Sequence, residues 1–349
     1  MKKIVTLLLI GFFCLNAIEV NAKNDSSYFF LDCDSNRILY ENNKDQRLLT
    51  ASICKVLTAM VAIENGELFT FYDVKEEDLK TNGSAVYLQV GDKIALIDLI
   101  YALLLRSGND AALMISRVVF GDYDRFILEM NRLAHKIGMF NSTFENPSGL
   151  DDESYNYSTA YDMALLMSYA VENETFLEIC GARSYRADTV NNTYYWIHKH
   201  KLLRNNDYYW IHKHKLLKNN PFIKAAKTGF TTRAKRTLIT YAEVDDKRLV
   251  AVSFNQSDDY NLHLSLFKKA AEEFSLVRIF RSQVFPQELD LYYYPELKED
   301  VSILIKEGSK LTYKLKLLKE CKDICGYLFI YEDNILIYQA NLYPYWVRK

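Results

Sequence analysis

Apolar and polar positions alternate from Ser27 to Tyr40 around the polar run Asp32-Cys33-Asp34-Ser35-Asn36, which predicts two short strands joined by a tight turn. The period then lengthens. Val56, Leu57, Met60, Val61 and Ile63 follow Thr50-Ala51-Ser52 at helical spacing, and the pattern stops at Asn65-Gly66. Leu96 to Leu105 predicts one apolar helix, and Asp110 to Val119 another that stops near Gly121. Asp122 caps a third, with Phe126, Met130, Leu133, Ala134 and Ile137 on one face and Gly138 beyond it. Thr159-Ala160-Tyr161-Asp162 has the form of a capping box opening a fourth. From Ala225 the period returns to two. Ala226 to Thr231, Arg236 to Val244 and Arg248 to Asn255 predict three antiparallel strands, with Asp245-Asp246-Lys247 at the second turn. Leu262 to Phe280 has the look of a helix, and the tail from Ser282 that of a small β domain. This order predicts an α+β domain over 23–280, an antiparallel sheet with a helical subdomain, followed by a β-rich satellite over 281–349.

The N-terminus has a separate character. Lys2 and Lys3 precede an apolar run from Ile4 to Leu15, and Val20-Asn21-Ala22 supplies small-residue cleavage chemistry before Lys23. Residues 1–22 therefore read as an export signal, with an uncleaved anchor as the alternative and the only expected membrane contact. The run is short for a bilayer span. Across all 349 residues, 43 Lys and Arg stand against 45 Asp and Glu, a net charge of −2, so no basic field argues for nucleic acid. Of the six cysteines, Cys14 lies in the signal; Cys33, Cys54, Cys180, Cys321 and Cys325 remain. Five is odd, so no complete disulfide framework is expected, and Cys321 and Cys325 are read as two ordinary small side chains.

A tandem repeat interrupts the pattern. Tyr194-Tyr195-Trp196-Ile197-His198-Lys199-His200-Lys201-Leu202-Leu203 recurs as Tyr208-Tyr209-Trp210-Ile211-His212-Lys213-His214-Lys215-Leu216-Leu217. Two copies are too few for a solenoid. Metal binding by the His-Lys-His pairs is disfavoured, because interleaved lysines repel cations and no Cys or carboxylate joins the set. A loop or hairpin extension is the simpler account. The second copy keeps the shorter path to Lys227, so the first is taken as the insertion.

Three short motifs carry chemistry: Ser52-Ile53-Cys54-Lys55, Ser107-Gly108-Asn109 and Lys227-Thr228-Gly229. Residues three apart at a helix start share one face, about 5–6 Å apart at Cβ. A serine hydroxyl needs a base to become a nucleophile, and a lysine is that base only as a neutral amine, which burial and a second cation favour. The helix start also offers backbone N–H groups to a developing oxyanion. Ser107 suits proton relay to a leaving amine, and Asn109 suits a substrate amide; Gly108 permits the turn. Lys227 and Thr228 suit a carboxylate-ended substrate, and Gly229 lets a peptide approach the strand edge. Each motif alone is weak; all three in this order form a serine acyl-transfer site of a kind already known.

With their flanks, these motifs resemble the D-alanyl-D-alanine carboxypeptidases, the small serine penicillin-binding proteins. The flanks include Ala51 to Ala59, Leu104 to Ala112, Glu145-Asn146-Pro147-Ser148-Gly149-Leu150-Asp151 and Lys227 to Thr231, and the likeness runs from about Ser27 to Phe280. It implies a β-lactamase/transpeptidase-like fold. It implies Ser52 as acylated nucleophile, Lys55 as base, Ser107 and Asn109 as relay and substrate holder, and Lys227 and Thr228 as carboxylate and relay contacts. Backbone N–H groups of Ser52 and Phe230 would form the oxyanion hole. The implied substrate is a peptidoglycan stem peptide ending in D-Ala-D-Ala, with β-lactams as inhibitors; no cofactor and no metal are implied.

There are departures from the family pattern. Lys235 stands where the family usually has glycine, Arg106 where it tends to have proline, and Cys54 where threonine is common. If that glycine has positive φ, Lys235 is strained or the turn differs. The arginine that some members place after the last core strand is not evident near Ser257. Two alternatives accompany the main expectation. A serine β-lactamase needs a deacylating carboxylate, and no Glu-x-x-Leu-Asn follows Ser107-Gly108-Asn109. A catalytically weak peptidoglycan-binding protein is the other.

Overall fold

The alternating stretch near the start forms a hairpin, β1 (Ser27–Asp32) and β2 (Arg37–Asn42), whose turn passes through Asn36 at φ +54°. Asparagine tolerates that left-handed conformation. We describe a computed structural model of the protein, covering residues 26–189, 192–197, 222–286, 293–318, 321 and 323–346. Residues 1–22, expected to be an export signal, and the His-Lys-His pairs lie outside the described residues.

Helical periods become helices where predicted. They are α1 (Lys55–Asn65), α2 (Leu96–Tyr101), α3 (Asn109–Phe120), α4 (Tyr123–Lys136) and α5 (Ala160–Ala170); α6 (Glu174–Gly181) is a further helix that the periodicity does not predict. Asp122 caps α4 by accepting from the Arg125 N–H at 2.7 Å, and Thr159 caps α5 by accepting from the Asp162 N–H at 3.0 Å. A short hairpin, β3 (Ser184–Asp188) with β4 (Thr193–Ile197), follows α6. So the first repeat copy is not wholly an inserted loop. Its opening residues are β4, and Tyr194 packs against the core and donates to Asp92 Oδ2 at 2.8 Å.

Period two returns as β5 (Ile223–Thr231), β6 (Lys235–Val244) and β7 (Lys247–Phe254). Asp245 and Asp246, at φ +49° and +62°, make the tight second turn. These strands join the hairpin in one five-stranded antiparallel sheet, ordered β2-β1-β7-β6-β5. Both faces are buried, which is why the strands are so apolar. Phe29, Leu31, Ile239, Val250 and Val252 pack against α1 and its helical neighbours; Phe30, Ala242 and Ala251 pack against Leu264 and Phe267 of α7 (Asp259–Glu273).

The predicted helix over 262–280 needs correction. It ends at Glu273, and β8 (Phe274–Phe280) pairs antiparallel with β10 (Val301–Lys306). Val277, Ile279 and Phe280 carry β-branched and aromatic side chains that suit a strand once a partner exists. Beyond them β9 (Tyr293–Leu297), β11 (Leu311–Leu317), β12 (Gly326–Glu332) and β13 (Ile335–Trp346) build a small sheet with its own core of Leu328, Ile330 and Leu342. Cys325 lies in that core with Cys321 packed against it, both as free thiols. Arg37 of β2 forms an ion pair with Glu332 and lies over the Phe274 ring, tying the β-rich end to the main sheet.

Candidate active site

Ser52 sits in a short 3-10 turn, Ala51–Cys54, that runs directly into α1. Ala51 is held at φ +46°, an uncommon conformation for a residue with a Cβ. Two neighbours hold the turn. Thr237 Oγ1 on β6 donates to Thr50 O at 3.0 Å, and Gly149, at φ +81°, packs so closely that a Cβ there would lie 1.9 Å from Ala51 O. Glycine is required at 149 on both grounds.

Lys55 begins α1 with no solvent exposure. Its Nζ lies 3.1 Å from Ser52 Oγ, 2.8 Å from Asn109 Oδ1, and in contact with the Ser148 carbonyl. An ammonium donates three hydrogen bonds. A neutral amine donates two, which suit the two carbonyl-type oxygens, and its lone pair then falls to the Ser52 hydroxyl. The same arrangement therefore holds the lysine in either protonation state.

Helix α2 runs on through a wide turn, Ala102–Arg106, and breaks at Ser107. Here the sequence expectation needs refinement. The left-handed residue is Ser107, at φ +60°, whereas Gly108 has an ordinary φ of −59°. Gly108 is needed for space instead: a Cβ would lie 2.9 Å from Asp110 Oδ1 and 3.2 Å from Val86 Cγ1. Asn109 is fixed at both ends of its amide, Oδ1 to Lys55 and Nδ2 to Asn82 O at 2.6 Å. Asp110 accepts from the backbone of Val86 and Leu88 and so pins the segment that carries Ser84.

Lys227 lies inside β5, 2% exposed, with Nζ donating to Ser107 Oγ at 3.0 Å and to Thr228 O at 2.7 Å. Each of the two predicted serines thus has its own buried lysine. A Cβ on Gly229 would come within 2.8 Å of the Ser52 backbone nitrogen, so β5 runs hard against the nucleophile's turn. Ser52, Ser107, Thr228, Gly229 and Phe230 line a cleft of about 340 Å³, and Ser84, Arg236 and Tyr260 complete its wall. Among the described residues no cluster of His, Cys, Asp and Glu is arranged to hold a metal ion.

Comparison with known proteins gives the family. The sequence pattern of the D-alanyl-D-alanine carboxypeptidases matches residues 15–258. The chain belongs to that family. The D-alanyl-D-alanine carboxypeptidase DacF of Bacillus subtilis (strain 168) is 28% identical over 275 residues, 74% of this chain and 67% of that protein. DacC of Escherichia coli (strain K12) is 28% identical over 257 residues, 69% of this chain and 59% of its own length. The chain thus spans only about three fifths to two thirds of these relatives. Among solved structures, penicillin binding protein 5 from Haemophilus influenzae superposes with a TM-score of 0.75 over 91% of this chain and 95% of its own, at 21% identity. The R248L mutant of the Streptomyces K15 DD-transpeptidase matches with a TM-score of 0.61 over 69% of this chain and 94% of its own, at 25% identity. The transpeptidase/β-lactamase-type fold is therefore established.

Within this family frame the eight residues predicted from sequence meet. Lys55 is hydrogen-bonded to Ser52 and Asn109, Lys227 to Ser107, and Thr228, Gly229 and Phe230 line the cleft with the two serines. Sequence reasoning missed Ser148, whose contribution is a backbone carbonyl. Asn146 shapes that loop by accepting from the N–H groups of Ser148 and Gly149 at 3.1 and 2.7 Å, and Asn-Pro-Ser-Gly is a turn signal that pointed to it. It also missed Arg236, paired with Asp259, and Tyr260. Lys235 confirms the departure at the family's glycine: its φ is +60°.

Proposed function

We propose that the chain is a serine-type D-Ala-D-Ala carboxypeptidase that removes the terminal D-alanine from peptidoglycan stem peptides and is acylated by β-lactams at the same serine. One observation carries the proposal: a fully buried lysine amine 3.1 Å from a serine hydroxyl in a cleft-lining turn. Ser52 Oγ attacks the carbonyl of the penultimate D-alanine while Lys55 takes its proton. The oxyanion falls to the backbone N–H groups of Ser52 and Phe230. The C–N bond then breaks, and D-alanine leaves with a proton delivered through Ser107, which Lys227 orients. Asn109, whose Oδ1 accepts from Lys55, has a second Nδ2 hydrogen for the substrate's amide carbonyl. Water attacks the ester in the second half, releasing the shortened peptide and restoring Ser52.

Membership of the family supports action on the cell wall, outside the cytoplasmic membrane, with residues 1–22 as the export signal. No helix among the described residues is long and apolar enough to cross a membrane. The β-lactamase and binding-protein alternatives are not favoured by the relatives. The test is D-alanine release from an N-acyl-D-alanyl-D-alanine peptide, run beside hydrolysis of a chromogenic cephalosporin. Peptide turnover with slow cephalosporin turnover is expected. Fast cephalosporin turnover without peptide turnover makes the protein a β-lactamase, and turnover of neither makes it a binding protein.

A further inference from the structure

A carboxypeptidase must recognise the free carboxylate at the end of its substrate. The resemblance to the family assigned that contact to Lys227 and Thr228. The geometry argues against Lys227 as the receiving cation. Its side chain is 2% exposed, and its ammonium is committed to Ser107 Oγ and Thr228 O.

Among the described residues that line the cleft, Arg236 alone carries a positive charge. It lies on β6 directly across from Phe230 on β5, the edge strand of the sheet, and both residues line the cleft. Its side chain is 39% exposed, against 1% for its partner Asp259. Asp259 accepts from Nη2 at 2.6 Å and from Nε at 3.1 Å, and the Tyr260 ring lies 5.1 Å from the guanidinium carbon. The planar fork carries five N–H donors, enough for a second carboxylate beside Asp259. A buried carboxylate on one edge and an aromatic face beside it fix a side chain that would otherwise lose much rotamer freedom on binding.

We propose that Arg236, held in place by Asp259 and Tyr260, receives the terminal carboxylate of the substrate, and that Lys227 acts instead through Ser107. The proposal rests on the carboxypeptidase assignment, because it presupposes a peptide with a free C-terminus in this cleft. Arg236 is then a specificity-determining residue, and Asp259 a positioning one.

The test separates binding from chemistry by using the full-length Ser52→Ala protein. Calorimetry would measure its affinity for an N-acyl-D-alanyl-D-alanine peptide and for the C-terminal amide of the same peptide. Hydrogen bonds to a charged group predict that the acid binds about 10–100-fold more tightly than the amide. Adding Arg236→Ala is expected to bring the two affinities within about twofold, and adding Arg236→Lys to leave an intermediate ratio. Thermal melting checks that each variant remains folded. An acid-to-amide ratio that survives Arg236→Ala in a folded protein overturns the proposal, and so does a ratio near one before that change. Failure of the carboxypeptidase assignment would be seen separately, as wild-type protein that releases no D-alanine.

Discussion

The active site has two halves that differ in how the chain builds them. The helix-borne half, Ser52 and Lys55, comes from four consecutive residues at the mouth of α1, buried and pinned by Thr237 and Gly149. The strand-borne half, Lys227 to Phe230 with Arg236, is assembled across β5 and β6 and braced from behind by α7. The first half follows the family pattern apart from Cys54. The second carries Lys235 at φ +60°, where the resemblance leads one to expect glycine, and follows the repeat directly; Arg236 beside it is clamped by Asp259. In the proposed mechanism the helix-borne half activates the nucleophile, while the strand-borne half serves the leaving group through Lys227 and Ser107 and meets the substrate's end at Arg236.

The largest expected effect is in the helix-borne half. Arginine at position 55 keeps a cation but gives no neutral amine. Lys55→Arg is expected to lower the acylation rate by about 10²–10⁴-fold, the usual worth of a general base. Stopped-flow reaction with a fluorescent penicillin would measure this. Retained acylation would shift the base role to Lys227 and dissolve the division of labour between the halves.

The strand-borne half should be the pH-sensitive one. His263 of α7 is buried between Thr240 Oγ1 on β6 at 2.7 Å and Ser253 Oγ on β7 at 3.0 Å. Burial pulls its pKa from 6.5 down to about 3. The unfolded chain takes up a proton below pH 6.5 while the folded protein does not, so this group costs stability as pH falls from about 6.5 towards 3, by about 1.4 kcal/mol per pH unit. Urea titrations at pH 7 and pH 5 are expected to show this loss in the wild type and its absence in His263→Gln. Parallel losses in both proteins would remove His263 as the cause.

Smaller effects mark the departures. Lys235→Gly is expected to raise unfolding stability by about 0.5–1 kcal/mol, as relief of left-handed strain outweighs the entropy of glycine. A lower melting temperature would mean that the lysine side chain makes a contact worth more than the strain. Deleting one repeat copy is expected to change the melting temperature least. Both copies open with Tyr-Tyr-Trp-Ile, so whichever remains can pair with β3, and loop length costs only about 0.6 kcal/mol per doubling. A deletion variant that fails to fold would show that both copies are architectural.

What could be read from sequence followed the same division. Ser52 and Lys55 were legible because i,i+3 spacing on an apolar helix is a local signal. Caps at Asp122 and Thr159 were legible for the same reason. The Ser148 carbonyl was not, since a backbone atom leaves no side-chain trace. Arg236 was not, because its place beside Phe230 depends on the register between β5 and β6. Residues 274–280 read as part of the preceding helix because their strand partner, 301–306, lies more than twenty residues downstream. The Lys235 strain was foreseen only as a conditional, since φ is set by the turn and not by the residue.

The central claim is that Ser52 is the acyl acceptor. Intact-protein mass spectrometry after reaction with penicillin, followed by peptide mapping of the adduct, tests it most directly. One adduct per chain, confined to the peptide carrying Ser52 and absent from Ser52→Ala, is the predicted result. An adduct of undiminished yield in Ser52→Ala, or one mapped to Ser107, would contradict it.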